Sequence, residues 1–143
     1  MHVAYADDRG GSDIELIAHP VYGRHLHSAW DTGILKARRG RQRLRTYIAN
    51  LSVIAPELVV LWQQDKAPLL WASESYRIVT SPEAGYCQWN NDPPGQTTTQ
   101  VCRSITKRKA IGETYQNLMA PILERRLQQA AVRLAKAIER ALD

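Results

Sequence analysis

At 143 residues the chain has room for one domain and not for two. Apolar residues make up 44% and charged residues 23%, near globular averages, which argues against intrinsic disorder. No stretch approaches the length of a membrane span, and a net charge of +5 suits an anionic partner without naming one.

Residues 1–12 read as a loop that ends in the Gly10-Gly11 turn signal. Asp13-Ile14-Glu15-Leu16-Ile17-Ala18 starts with polar and apolar alternation, which predicts a short strand. Pro20 to Gly23 turns the chain, and a brief second strand leads towards His25, giving a hairpin. A helix is expected from Leu26 or His27 to about Leu35, weakened by Gly33. Arg43 to Ile54 carries Leu44, Tyr47, Ile48, Leu51 and Ile54 on one helical stripe. Pro56 suits a first helical turn, so residues 56–65 form the next helix, and Pro68 to Thr80 another. Residues 81–110 are rich in Pro, Gly, Asn and Thr and read mostly as loop.

The clearest helix runs from Gly112 to Leu142. Leu118, Ile122, Leu127, Ala131, Leu134, Ile138 and Ala141 repeat near the helical period and are expected to pack into a core. Pro121 breaks or kinks that helix, or starts its second part. The fold class is therefore all-α, mainly helical with a short β-hairpin near the N-terminus.

The chemistry concentrates around His27-Ser28-Ala29-Trp30-Asp31. Residues four apart share one helix face, so His27 and Asp31 can point at one metal ion. With His2 they offer two nitrogens and one oxygen and leave a fourth position open, as catalytic zinc is usually held. The competing reading is a helix start with a surface histidine and an acidic residue in its first turn. A second competitor is a His-x-His pair, His25 with His27, on one side of an extended segment. His19 and His25 are otherwise read as polar residues without a metal role. Asp8 and Asp13 are candidates to support the metal ligands, or else turn and cap residues.

Two other features bear on function. The run from Lys36 to Arg45 includes Arg38, Arg39, Arg41 and Arg43, which form either a phosphate-contacting patch or a solvated loop and helix start. It carries no interleaved aromatics for base stacking. Cys87 and Cys102 bracket the loop around Asn90 to Thr99. They form either a bridge of the kind that oxidising compartments permit, or two free thiols.

The words around these residues resemble one family. Met1-His2-Val3, then Asp8-Arg9-Gly10-Gly11-Ser12, then His25-Leu26-His27-Ser28-Ala29-Trp30-Asp31, are similar to the second half of the zinc-dependent single-strand-specific nucleases of the S-one/P-one type. These are also called 3'-nucleotidases or bifunctional nucleases, and they share a fold with zinc phospholipase C. Trp71-Ala72-Ser73-Glu74-Ser75 resembles that family's Trp-x-x-Glu-Ser helix, and Leu127, Ala130, Ala131, Arg133, Leu134 and Ala135 resemble its C-terminal pattern. His25 and Ser12 stand where the family has Asn.

The resemblance implies that His2, His27 and Asp31 are the ligands of one zinc of a cluster of three. It places no catalytic residue on this chain. It implies a zinc nuclease acting on single-stranded DNA, RNA and 3'-nucleotides, leaving 5'-phosphorylated products, in secreted or periplasmic proteins. Residues 1–143 would be the C-terminal part of one such domain, with the N-terminal part missing. The N-terminus has no signal-peptide pattern. On this expectation the isolated chain is weakly active or inactive, and a missing segment or self-association covers exposed core. The alternatives are a non-catalytic zinc- or nucleic-acid-binding remnant and a phospholipase C-type phosphodiesterase.

Overall fold

The structure, a computed structural model, describes residues 9–17, 21–64, 68–88 and 104–143. Six α-helices dominate them. α1 (Leu26–Ser28) passes through a π turn (Ala29–Gly33) directly into α2 (Ile34–Arg39), so one continuous helical rod spans residues 26–39. α3 (Leu44–Leu51), α4 (Pro56–Gln63) and α5 (Pro68–Val79) follow, and α6 (Glu113–Leu142) closes the chain.

Four two-residue strands form two separate pairs. β1 (Glu15–Leu16) pairs in parallel with β4 (Arg108–Lys109), with Glu15 opposite Arg108. β2 (Cys87–Gln88) pairs antiparallel with β3 (Ser104–Ile105). The expected N-terminal hairpin is a short one, an antiparallel bridge of Glu15 with His25 flanked by Leu16 N–H to the Arg24 carbonyl at 2.8 Å and Leu26 N–H to the Ile14 carbonyl at 3.0 Å, because the chain enters α1 directly after His25. Of the 81–110 stretch, residues 81–88 and 104–110 are described, and they are not all loop. They hold a 3-10 turn (Pro82–Ala84) and strand residues whose partners lie far off in sequence.

The core sits between the rod and the first half of α6. Leu26, Ala29, Trp30 and Ile34 from the rod meet Met119 and Ala120 of α6, with Ile14, Val79 and Tyr86 filling between them. Burying a side chain such as Leu26 completely contributes about 2 kcal/mol.

Two expectations for α6 are corrected. Pro121 neither breaks nor splits the helix, which runs through it for 30 residues. Pro121 is exposed, and so is Asn117 four residues before it, so the carbonyl that loses its partner can turn to water. The apolar stripe is also only partly core. Leu118, Leu127, Leu134 and Ile138 are about half exposed, whereas Met119, Ala120, Val132 and Arg133 are buried. Periodicity specifies a face, not what covers it. Among the described residues no single helix is long and apolar enough to cross a membrane.

Candidate metal centre

The site starts at a left-handed turn. Arg9, Gly10 and Gly11 all have positive φ, at 52°, 66° and 87°, a succession that two glycines make affordable. The turn aims two successive carbonyls at His27. The Gly11 oxygen accepts from the His27 backbone N–H at 3.3 Å, and the Gly10 oxygen lies 3.0 Å from the His27 ring Nδ1.

A carbonyl oxygen can only accept, so Nδ1 donates to Gly10, which leaves Nε2 as the ring nitrogen that a metal ion could take. Nε2 faces Asp31 Oδ2 at 2.8 Å. A ligating histidine held by a backbone carbonyl through its other nitrogen is the usual arrangement at protein-bound metals. Zinc bonds to histidine nitrogen and carboxylate oxygen are about 2.0–2.2 Å. A modest rotation of Asp31, which is 58% exposed on its side chain, would let one ion take both donors.

The π turn sets the direction of the pair. Ile34 N–H donates to the Ala29 carbonyl five residues back, and such wide turns often mark functional sites. Trp30 fixes the turn from inside. Its Nε1–H donates to the Tyr115 hydroxyl at 2.8 Å, and that hydroxyl donates onward to the Ala84 carbonyl at 2.8 Å. Burial lifts the Tyr115 hydroxyl well above its ordinary range, so it stays protonated and keeps the relay intact. Gly33 completes the arrangement, because a Cβ there would lie 2.4 Å from the Tyr22 carbonyl oxygen.

Of the three expected ligands, the structure brings His27 and Asp31 together, and His2 lies outside the described residues. Among the described residues no group of three or more His, Cys, Asp or Glu side chains could hold a metal. The His25–His27 alternative is not what the structure shows. His25 is the residue that caps α1, where its backbone N–H donates to Ser28 Oγ at 3.3 Å, while His27 lies inside the helix. The support for His27 comes from the Gly10 carbonyl and not from Asp13. Asp13 is engaged by Arg9, whose guanidinium hydrogen bond holds its carboxyl below the usual range. Asp8 and His19 lie outside the described residues. The Gly10-Gly11 pair was the available sequence signal for this role, since such pairs mark places where the backbone itself makes the contact.

The basic run covers the end of α2 and the start of α3. Arg38 pairs with Glu124 at 3.6 Å, Arg39 donates to the Gln42 carbonyl at 3.2 Å, and Arg41 and Arg43 are exposed.

A second polar cluster joins α5 to α6. Glu74 accepts from Arg133 at 2.8 and 3.0 Å and from Arg126 at 2.8 Å, and Arg126 also donates to Ser75 Oγ at 2.8 Å. The Arg133 guanidinium lies over the Trp71 ring at 5.1 Å. The two distant motifs around Trp71-x-x-Glu74-Ser75 and Arg133 thus meet in space.

The chain is 25% identical over 159 aligned positions to "Endonuclease 1" of Arabidopsis thaliana, covering all of this chain and 45% of that protein. It is 26% identical over 142 positions to "Endonuclease 2" of the same plant, covering 98% of this chain and 46% of that protein. The chain therefore spans about half the length of the curated relatives it matches. The family model for S1/P1 nuclease matches residues 1–143, and the chain belongs to that family.

Proposed function

We propose that this chain carries one zinc site of a single-strand-specific nuclease, held by His2, His27 and Asp31. Residues 1–143 are the C-terminal part of one zinc nuclease domain, and the intact site holds three zincs. The observation that carries the reading is the His27 ring, held at Nδ1 by the Gly10 carbonyl with Nε2 2.8 Å from Asp31 Oδ2. Zinc bound in such a site activates water and stabilises charge on phosphoryl oxygens. His27 and Asp31 supply the donors, the Gly10 carbonyl orients the imidazole, and Trp30 with Gly33 holds the helical turn that presents Asp31.

The substrates are phosphodiesters of single-stranded DNA and RNA and 3'-nucleotides, cut to 5'-phosphorylated products. Arg38, Arg39, Arg41 and Arg43 would attract the phosphate backbone. Further ligands come from length that the relatives have beyond this match, so the 143 residues alone are weakly active or inactive. The protein works in a secreted or periplasmic setting, where Cys87 and Cys102 are bridged. In support, no free cysteine occurs among the described residues, and Cys87 is 5% exposed.

Zinc content by mass spectrometry, with hydrolysis of single-stranded DNA in parallel, tests this. Wild-type protein should bind zinc, and His27→Ala or Asp31→Ala should lose it. Binding should weaken in acid, because the ligating nitrogen must be unprotonated. Unchanged zinc in both variants would refute the ligand assignment. Cutting by the short chain with several zincs bound would refute the claim that essential ligands lie elsewhere.

A further inference from the structure

The two members of the metal pair are held in different ways. His27 is tied to the N-terminal turn twice, by its backbone N–H to the Gly11 carbonyl and by Nδ1 to the Gly10 carbonyl. Asp31 has no comparable tie, and among the described residues its carboxylate pairs with His27 alone. Its place is set by the backbone of the π turn, and so by Trp30, the buried residue before it. Successive helical residues are about 100° apart around the axis, so a roll that moves the Trp30 indole also swings Asp31.

One hydroxyl opposes that roll. Tyr115, in the first turn of α6, accepts from Trp30 Nε1–H and donates to the Ala84 carbonyl, both at 2.8 Å. Lys109 Nζ of β4 stands 4.9 Å over the Tyr115 ring. Lys109 in turn crosses Gly85, where φ is 61° and a Cβ would run into Nζ. Ala84 is fully buried. Tyr115 is therefore fixed from three sides, by α6, by β4 and by the 3-10 turn. Core packing alone would bury Trp30, but a directional bond decides where its indole edge points. A buried N–H left without an acceptor is costly enough to move the ring towards another partner.

The geometry points to Tyr115 as a positioning residue for the metal site: its hydroxyl, through Trp30, holds Asp31 Oδ2 against His27 Nε2. The inference rests on the zinc-site reading above and extends it to a side chain that offers the metal no donor. Removing a group directly behind a ligand lowers metal affinity about 10- to 100-fold. Tyr115 acts one residue further back, so the low end, about tenfold, is expected.

The test compares the 143-residue protein with Tyr115→Phe, Tyr47→Phe and His27→Ala. Zinc affinity is read by competition with a chromophoric chelator, geometry by the visible bands of the cobalt-loaded protein, and stability by the metal-free thermal midpoint. Tyr115→Phe keeps the ring under Lys109 and removes only the hydroxyl. Tyr47→Phe is the matched control, since it deletes a part-buried hydroxyl that donates to Glu124 at 2.7 Å and does not involve Trp30. Both should lower the midpoint, but only Tyr115→Phe should weaken zinc about tenfold and alter the cobalt bands. Trp30→Phe removes the same bond from its other end, so adding Tyr115→Phe to it should cost no further affinity. Wild-type affinity in Tyr115→Phe, with zinc lost in His27→Ala, would overturn the inference and leave the metal site standing. Equal weakening by Tyr47→Phe, or additive losses in the Trp30 and Tyr115 double variant, would also overturn it. Zinc binding that His27→Ala leaves untouched, or none in wild type, would sink the site itself and the inference with it.

Discussion

Glu74→Gln should cost about 3 kcal/mol of folding stability at neutral pH. Glu74 joins α5 to α6 by accepting from two guanidiniums, and Arg133 is only 7% exposed. The Arg133 hydrogen bonds, opposed by burial and helped by Arg126, pull the carboxyl from its ordinary 4.5 to about 2. At about 1.4 kcal/mol per tenfold change in proton affinity, that preference for the ionised form is worth roughly 3 kcal/mol. The Glu74 side chain is 28% exposed, so solvent screening trims the figure towards about 2 kcal/mol. Glutamine adds a separate cost, since it leaves the Arg133 charge buried without a formal counter-charge.

The sign follows from the direction of the shift. A carboxyl lowered by folding stabilises fully above its ordinary value and loses that contribution as pH falls towards the folded value. The gap between wild type and Glu74→Gln should therefore be full at pH 7 and reduced to about half by pH 3. Urea unfolding followed by tryptophan fluorescence at both pH values reads this directly. A gap below about 0.5 kcal/mol at pH 7, or one unchanged at pH 3, would refute the account.

Gly33→Ala sets two effects against each other. Alanine favours a helix over glycine by about 1 kcal/mol, but its Cβ would meet the Tyr22 backbone at 2.4 Å, and overpacking against backbone costs about 3 kcal/mol. A net loss near 2 kcal/mol in thermal unfolding is expected, and a stabilised variant would show that Tyr22 does not cross there. Neutralising Arg39, Arg41 and Arg43 should lower the salt slope of single-stranded DNA binding by up to about 2, at ~0.7 per phosphate contact. Arg38 should contribute less because Glu124 already pairs with it; an unchanged slope would make the run a solvated surface. Reducing a Cys87–Cys102 bridge should cost about 3 kcal/mol, and two reactive thiols in unreduced exported protein would rule the bridge out.

Local patterns were legible where local physics decides. The start of the rod at Leu26, the helices from Pro56 and Pro68, and the start of α6 after Gly112 follow from proline and glycine placement and from periodicity. The His27–Asp31 pairing follows from four-residue spacing. The pairing of Glu15 with Arg108 does not, because the alternation around Glu15 locates a strand without naming its partner, which lies most of the chain away. The Gly10–His27 contact escaped for a related reason: its acceptor is a backbone carbonyl, which every residue has. Arg133 stands in an otherwise apolar stretch of α6, and only the position of Glu74 on another helix shows why a charge is tolerated there.

The rod from Leu26 to Arg39 explains why the ligand pair lies where it does. Leu26, Ala29, Trp30, Gly33 and Ile34 are buried, a set that follows the helical spacing of one face. His27 and Asp31 each follow a buried residue by one position, which places them at the border of that face and not at its centre or opposite it. His27 is 24% exposed, close enough to the core for the Gly10 carbonyl to grip its ring, whereas Asp31 is 58% exposed. Under the proposed zinc site, one donor is thereby held rigidly and the other keeps freedom to meet an ion. A pair moved one position back would be lost in the core at Leu26 and Trp30. Moved one position forward, to Ser28 and Thr32, it would lose the support of the Gly10 turn. The site depends on this one-residue register, and Trp30 and Gly33 are the side chain and the gap that keep it.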